Sequence, residues 1–269
     1  MVAKHREELH TALAIAPQTN EVGRAVALLV GLLDLATTTG IRRVRLLELG
    51  ASAGLNQLLD RFRITGEGWV WGPTASPVQL LDAVQGPLPV GPLTDGVRLP
   101  TAPGDRIEIV AARGCDLDPV DATSTEGRLR LTSFVWPFDL HRHERLAGVL
   151  RLAAAHPPIV DRASAADWLA VQLADAPDPD VLTVVWHSIT QLYWPASEIA
   201  AVNAHLDAYG RRHRVAEVGL EYPPDADRTA GPEVRTVLWS GDGAPPRERL
   251  LGTAHDHGIP VRLTASTSG

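Results

Sequence analysis

The stretch VRLLELGASAGLN, residues 44–56, decides the fold. Val44, Leu46, Leu47 and Leu49 form a short apolar run, the pattern of a parallel strand covered on both faces. Gly50 and Gly54 bracket a turn where backbone must bend tightly or approach a ligand closely. Leu55, Leu58 and Leu59 then share one helical face. A helix N-terminus at the C-terminal edge of a parallel strand offers free N–H groups and positive dipole. The stretch is therefore a binding-site candidate on its own pattern.

Several chemistries compete for it. A dinucleotide fingerprint, GxGxxG, fails because Ser52 stands at the middle glycine and the third glycine is missing. A nucleophile elbow, GxSxG, is matched by residues 50–54 in a strand–turn–helix context. The first motif of the S-adenosylmethionine-dependent methyltransferases, acidic-x-G-x-G-x-G, is met by Glu48, Gly50 and Gly54, with Ser52 at the middle position. An ordinary strand-to-helix turn remains open beside these.

The rest of the chain sets limits. Its 269 residues are 45% hydrophobic and 21% charged, enough for one large α/β domain over 1–269. A net charge of −7 and a pI near 5.8 argue against nonspecific nucleic-acid binding, and no nucleic-acid partner is expected. The single cysteine, Cys115, forbids an intrachain disulfide and suits a reducing, cytoplasmic setting. No secretory h-region is read at the N-terminus, and no apolar run is read as approaching the roughly 18 residues of a membrane span.

Around the central motif, strands and helices alternate. Residues 1–40 read as a helical part: a short helix over 4–16, then a second helix capped by Thr19 or Asn20 and stopped by Gly40. Residues 66–103, rich in Gly and Pro, read as an insertion carrying a short hairpin, or as a covering loop. Strands are expected over 106–112, 159–162, 181–186, 214–221, 234–239 and 259–263, and helices over 136–156, 163–173 and 195–210. The alternation predicts a doubly wound, mainly parallel, Rossmann-like sheet. Ligands in such sheets bind beyond the C-terminal strand ends. That rule collects residues 48–54, Asp116, residues 163–165, His187 and Ser188. His141, His143 and Glu144 read as a solvated helix face, because i, i+2 spacing splits the histidines between faces; no metal site is expected.

Together the runs TNEVGR (19–24), ELGASAGLN (48–56), RGCDLDPVD (113–121), VVWHS (184–188) and AHDHG (254–258) resemble domain-of-unknown-function family 2332. The resemblance covers most of the chain from about Gln18. It implies a class I methyltransferase fold, S-adenosylmethionine as cofactor, and in family members a further helical region before this chain's start. On that resemblance Glu48 orients the cofactor's ammonium, the 50–54 backbone with Gly50, Ser52 and Gly54 approaches its methionine end, and Asp116, with Asp118 and Asp121 as alternatives, binds the ribose hydroxyls. Many such methyltransferases place an acid after the third strand for the adenine amino group. Here Ser164 stands in that stretch and offers one hydrogen bond.

The expected function is methyl transfer to an acceptor that the sequence does not name, a small molecule among the possibilities, with His187 as candidate base because its ordinary pKa lies near 6.5. Thr19, Asn20 and Glu21 are candidates for closing one side of the pocket, with helix capping as the competing role. Two other classes stay open: a serine hydrolase using Ser52 with a later histidine, and a non-catalytic binding protein on the same fold.

Overall fold

A computed structural model of the protein describes residues 19–88, 107–224 and 228–264. The expected helix over 4–16 and most of the second half of the 66–103 insertion lie outside the described residues. Strand β1 (Arg43–Leu49) forms where the apolar run predicts it. It pairs in parallel with β5 (Glu108–Asp116) on one side and β7 (Val181–Ser188) on the other. Beyond them, β6 (Val160–Arg162) adds to β5 and β8 (Val215–Glu221) adds to β7, both parallel. Counting only these parallel strands in chain order, the spatial order is 3-2-1-4-5, the doubly wound arrangement. Its direction of winding reverses between β1 and β7.

The remainder departs from a purely parallel sheet. β9 (Glu233–Trp239), β10 (Arg247–Ala254) and β11 (Val261–Leu263) continue from β8 as an antiparallel meander. β10 is absent from the sequence-based expectation, because its charged opening, Arg247, Glu248 and Arg249, hides the buried Leu251 and Ala254 that follow. The described part of the insertion is no covering loop. β2 (Arg63–Gly66), β3 (Trp69–Trp71) and β4 (Gln79–Gln85) extend the sheet past β11 to its far edge, giving eleven strands among the described residues. Ile64, Trp69, Trp71, Leu80 and Val84 of these strands join the main core.

That core is organised on helix α1 (Ala25–Thr39), which packs on β8, β9 and β10. Residues 25–35 of α1 are buried without interruption. A helix apolar on every side needs cover on every side; a 3₁₀ helix (Leu55–Arg61) also packs on α1, and α3 (Leu140–Ala155) packs on that 3₁₀ helix within the same core. Residues 22–39 are thus one helical unit long and apolar enough, by length and composition, to cross a membrane, which corrects the expectation that no run reaches this length. In this fold 72% of it is buried inside the protein. Its one buried carboxylate, Asp34, accepts from Thr236 Oγ1 at 2.8 Å and pairs with Arg249, while burial raises its pKa. The helix cap also differs from expectation. Glu21, not Thr19 or Asn20, accepts from Gly23 N at 3.1 Å, and Asn20 Oδ1 instead accepts from Leu55 N at 3.0 Å. Gly40 ends α1 in a left-handed conformation, as its position predicts.

On the opposite face, α4 (Ala165–Gln172) and α5 (Ala196–Gly210) cover Leu47, Leu49, Val185 and Val215. The residues between β5 and β6 form α2 (Thr125–Ser133) and α3, capped by Ser124 and Asp139.

The fit of α1 to the sheet is tight at Gly31, where an added Cβ would lie 2.4 Å from Val218 Cγ1. Gly31→Val should destabilise the protein by about 1–3 kcal/mol through overpacking, read as a lower urea midpoint at unchanged slope. An unchanged midpoint would show that helix and sheet are not held in this contact.

Candidate functional site

A cavity of about 320 Å³ lies across the C-terminal ends of β6, β5, β1 and β7, at the reversal point of the sheet. Glu48, Gly50, Ser52 and Asp116 of the sequence candidates line it. Thr19, Asn20, Glu21 and Arg24 form a further wall, and Ser188, Ile189, Thr190, Tyr193 and Trp194 another. Among the described residues, four other than glycine have positive φ: Asn20, Ser52, Asp82 and Ile189. Three of them line this cavity, and a β-branched residue such as Ile189 adopts this conformation only where the surroundings impose it.

The turn after β1 does not present free amides as expected. Ala51 N donates to Cys115 O, Ser52 N to Asp116 Oδ2 and Gly54 N to Ala51 O, and Leu55 N is taken by Asn20. The element that follows is a 3₁₀ helix broken at Leu58, not an α-helix with an open N-terminus. Anion binding by this turn is therefore disfavoured, and recognition falls to side chains. Three residues that line the cavity each hold a buried acceptor with no hydrogen-bond partner among the described residues: Glu48 Oε2, Ser52 Oγ and Asn56 Oδ1. Buried polar atoms are nearly always satisfied, so three in one cavity mark where a ligand's donors fit. Burial pushes the Glu48 carboxyl up to about 8, against the opposing pull of the Gln57, Asn56 and Trp186 side chains around it.

The glycines act through protein contacts. At Gly50, φ +66, an added Cβ would meet Thr190 Oγ1 at 2.2 Å, so the close approach there is between the ends of β1 and β7. At Gly54 it would meet Val160 and Pro158, and Gly54 does not line the cavity. Asp116 closes β5 and accepts from Ser52 N and Asp118 N, both at 2.8 Å, which fastens the β1 turn to the β5 turn. Ser164 is not brought to the cavity lining: its hydroxyl caps α4, accepting from Asp167 N and donating to Asp167 Oδ2. Its neighbours Ala163 and Ala165 form the wall instead.

His187 requires a correction. Alternation along β7 places it with Val185, on the α5 side of the sheet, whereas Glu48 and Trp186 face the α1 side. Its Nδ1 bonds Glu221 Oε1 at 2.9 Å and its Nε2 bonds Glu217 Oε1 at 3.0 Å. Burial by itself would lower the imidazole's pKa, but the two carboxylates outweigh it and carry the pKa to about 10. A doubly paired imidazolium is no base near neutrality. Glu221 Oε1 also accepts from Thr190 N at 3.1 Å, so the pair braces the turn that carries Ile189. The Ser52 hydroxyl, for its part, has no histidine bonded to it among the described residues.

Sequence reasoning overlooked Arg24 and Asn56 as site residues. Asn56 sits one residue past the leucine that opens the 3₁₀ helix, inside a motif already singled out. Tyr193 and Trp194 stand at the cavity, while Trp69, Trp71 and Trp186 are core and Trp136 is exposed.

Domain-of-unknown-function family 2332, described as uncharacterised proteins conserved in bacteria, matches residues 1–262. The chain belongs to this family. No curated protein and no solved structure matches the chain. Within the family fold seen here, the match spans the whole sheet except the last residue of β11.

The paired His187 gives a direct check. Nitrogen NMR at pH 8 should show both ring nitrogens protonated, with titration only near pH 10. Because the folded pKa is raised, its stabilising contribution is complete below about pH 6.5 and is lost as pH rises through 10. A neutral tautomer at pH 8 would contradict the double pairing.

Proposed function

We propose that this protein is an S-adenosylmethionine-dependent methyltransferase of the class I type, acting on a small-molecule acceptor. The observation that carries the reading is the trio of unpartnered buried acceptors, Glu48 Oε2, Ser52 Oγ and Asn56 Oδ1, in a cavity at the sheet's reversal point. Spanning four strand ends means three spacings of about 4.8 Å, or roughly 14 Å, the reach of an extended nucleoside joined to an amino acid. Glu48, Asp116 and Asp118 line it together. Glu48 and Asp116 suit an ammonium and ribose hydroxyls, while Asp118 is already paired with Arg130 and Arg162.

The residues present fit the cofactor. Glu48 and Asn56 would hold the ammonium, Asp116 and Asp118 the ribose side, and Ala163 and Ala165 leave room for a flat ring. When bound, S-adenosylmethionine supplies an electrophilic methyl group. The chain's own contribution is positioning and exclusion of water: Ile189 and Thr190 fix the β7 side, and Tyr193 and Trp194 give the acceptor an aromatic wall. A cytoplasmic location belongs to the same reading, in keeping with the single buried Cys115.

Calorimetric titration with S-adenosylmethionine and S-adenosylhomocysteine, with NADH as control, should give saturable binding of the first two alone. Absence of binding at millimolar ligand would overturn the reading. Asn56→Leu should weaken binding about tenfold or more, the loss of one charge-assisted site of roughly 1.5–3 kcal/mol.

Proton linkage adds a second test. With its pKa at about 8, Glu48 is mostly neutral at pH 7 and must lose its proton to face a cation. Binding at pH 7 should therefore release close to one proton, seen as a dependence of heat on buffer ionisation enthalpy. The release should vanish at pH 9.5 and in Glu48→Gln. Buffer-independent heats at pH 7 would show that no cation meets Glu48.

A further inference from the structure

Arg24 closes the short 3₁₀ turn Val22–Arg24 that leads into α1. Its side chain reaches the end of β7, where Nη1 donates to Ser188 O at 3.2 Å, and Nε donates to Asp256 O at 3.0 Å. Both partners are neutral carbonyls. No carboxylate stands within ion-pair distance of this guanidinium among the described residues, and Nη2 makes no hydrogen bond there. The neighbouring Glu21 is committed elsewhere, to Arg142 and Arg145. Burial holds the Arg24 pKa below its ordinary value, while Glu21 and Glu221 pull it up from a distance.

Arg24 is also the cation of a cavity otherwise lined by Glu21, Glu48, Asp116 and Asp118. Buried charges are normally paired, and a planar guanidinium with free N–H groups matches a carboxylate in fork geometry. A phosphate dianion would leave Glu48 and Asp116 with no cation of the ligand to face. A carboxylate joined to an ammonium would not. Glu48 pairs across the sheet with Trp186, two residues before Ser188. The cation and the acid therefore line one cavity at the ends of the adjacent strands β7 and β1.

We propose that Arg24 is the carboxylate anchor of this cavity and that, with Glu48, it recognises the zwitterionic α-amino-acid end of the ligand. In the methyltransferase reading, on which this assignment of the ligand rests, that end is the methionyl group. Arg24 is then a specificity residue: it selects the intact cofactor over forms that lack the carboxylate.

The test is calorimetric, using wild type, Arg24→Met and Arg24→Lys, with circular dichroism to confirm folding. The probes are S-adenosylmethionine, its decarboxylated form, 5′-methylthioadenosine and free L-methionine. Wild type should prefer S-adenosylmethionine over the decarboxylated form by roughly 10- to 150-fold, the range for hydrogen bonds to a charged group. This arm needs no variant, so a misfolded substitution does not spoil it. Arg24→Met should erase that preference while changing 5′-methylthioadenosine affinity by less than about twofold, and Arg24→Lys should keep part of it. Equal affinity of wild type for both forms overturns the proposal. So does an equal loss for all probes in folded Arg24→Met, which would make Arg24 a brace for the Ser188 turn. If no adenosyl compound binds, the cofactor reading fails; saturable L-methionine binding lost in Arg24→Met would still uphold the zwitterion site, and its absence would overturn that as well.

Discussion

Burial of residues 25–35 of α1 on every side is the constraint from which the rest of the architecture follows. Eleven consecutive residues of this helix contact protein on every side. A flat sheet with one helical layer would leave part of such a surface wet. The antiparallel strands β9 and β10 and the 3₁₀ helix of residues 55–61 supply further cover. Apolar area of this size contributes the dominant favourable term in folding. The residues that lead into the helix inherit a fixed position: Asn20, Glu21 and Arg24 are set against the ends of β1 and β7.

The two faces of the central sheet treat their buried ionisable groups in opposite ways. His187, on the α5 side, is given two carboxylates and becomes a permanent structural cation. Glu48, on the α1 side, is given neutral donors and left with an unpartnered oxygen facing a cavity. Paired charges hold a fold in place, whereas an under-satisfied carboxyl is available to a ligand. The two are connected, since Glu221 accepts from both His187 and Thr190 N, and Thr190 packs against Gly50. The brace behind the sheet thus sets the wall in front of it.

How much was legible in the sequence varies by residue. Strand β1 was legible because its apolar run is uninterrupted, and the cavity's position followed from a parallel strand with a glycine turn. Glu48, Ser52 and Asp116 stand at the cavity as that pattern suggests. Ser164 and His187 were picked by the same rule of strand ends, which specifies the edge of the sheet but not the direction of a side chain. One is turned into a helix cap and the other behind the sheet. Arg24 was missed because a charged residue at a helix start is ordinarily solvated, and its carbonyl partners lie 164 and 232 residues along the chain.

The sequence by itself determined the alternation of strands and helices, the central strand and the glycine turn that crosses its end, because these rest on local periodicity and backbone freedom. Only the tertiary structure decided which way each charge faces and what it meets. The partners of His187 come from β8, those of Arg24 from the end of β7 and the turn before β11, and the satisfied amides of the 50–55 turn from β5 and Asn20. Pairing across such separations is fixed by packing and desolvation, which no local pattern encodes.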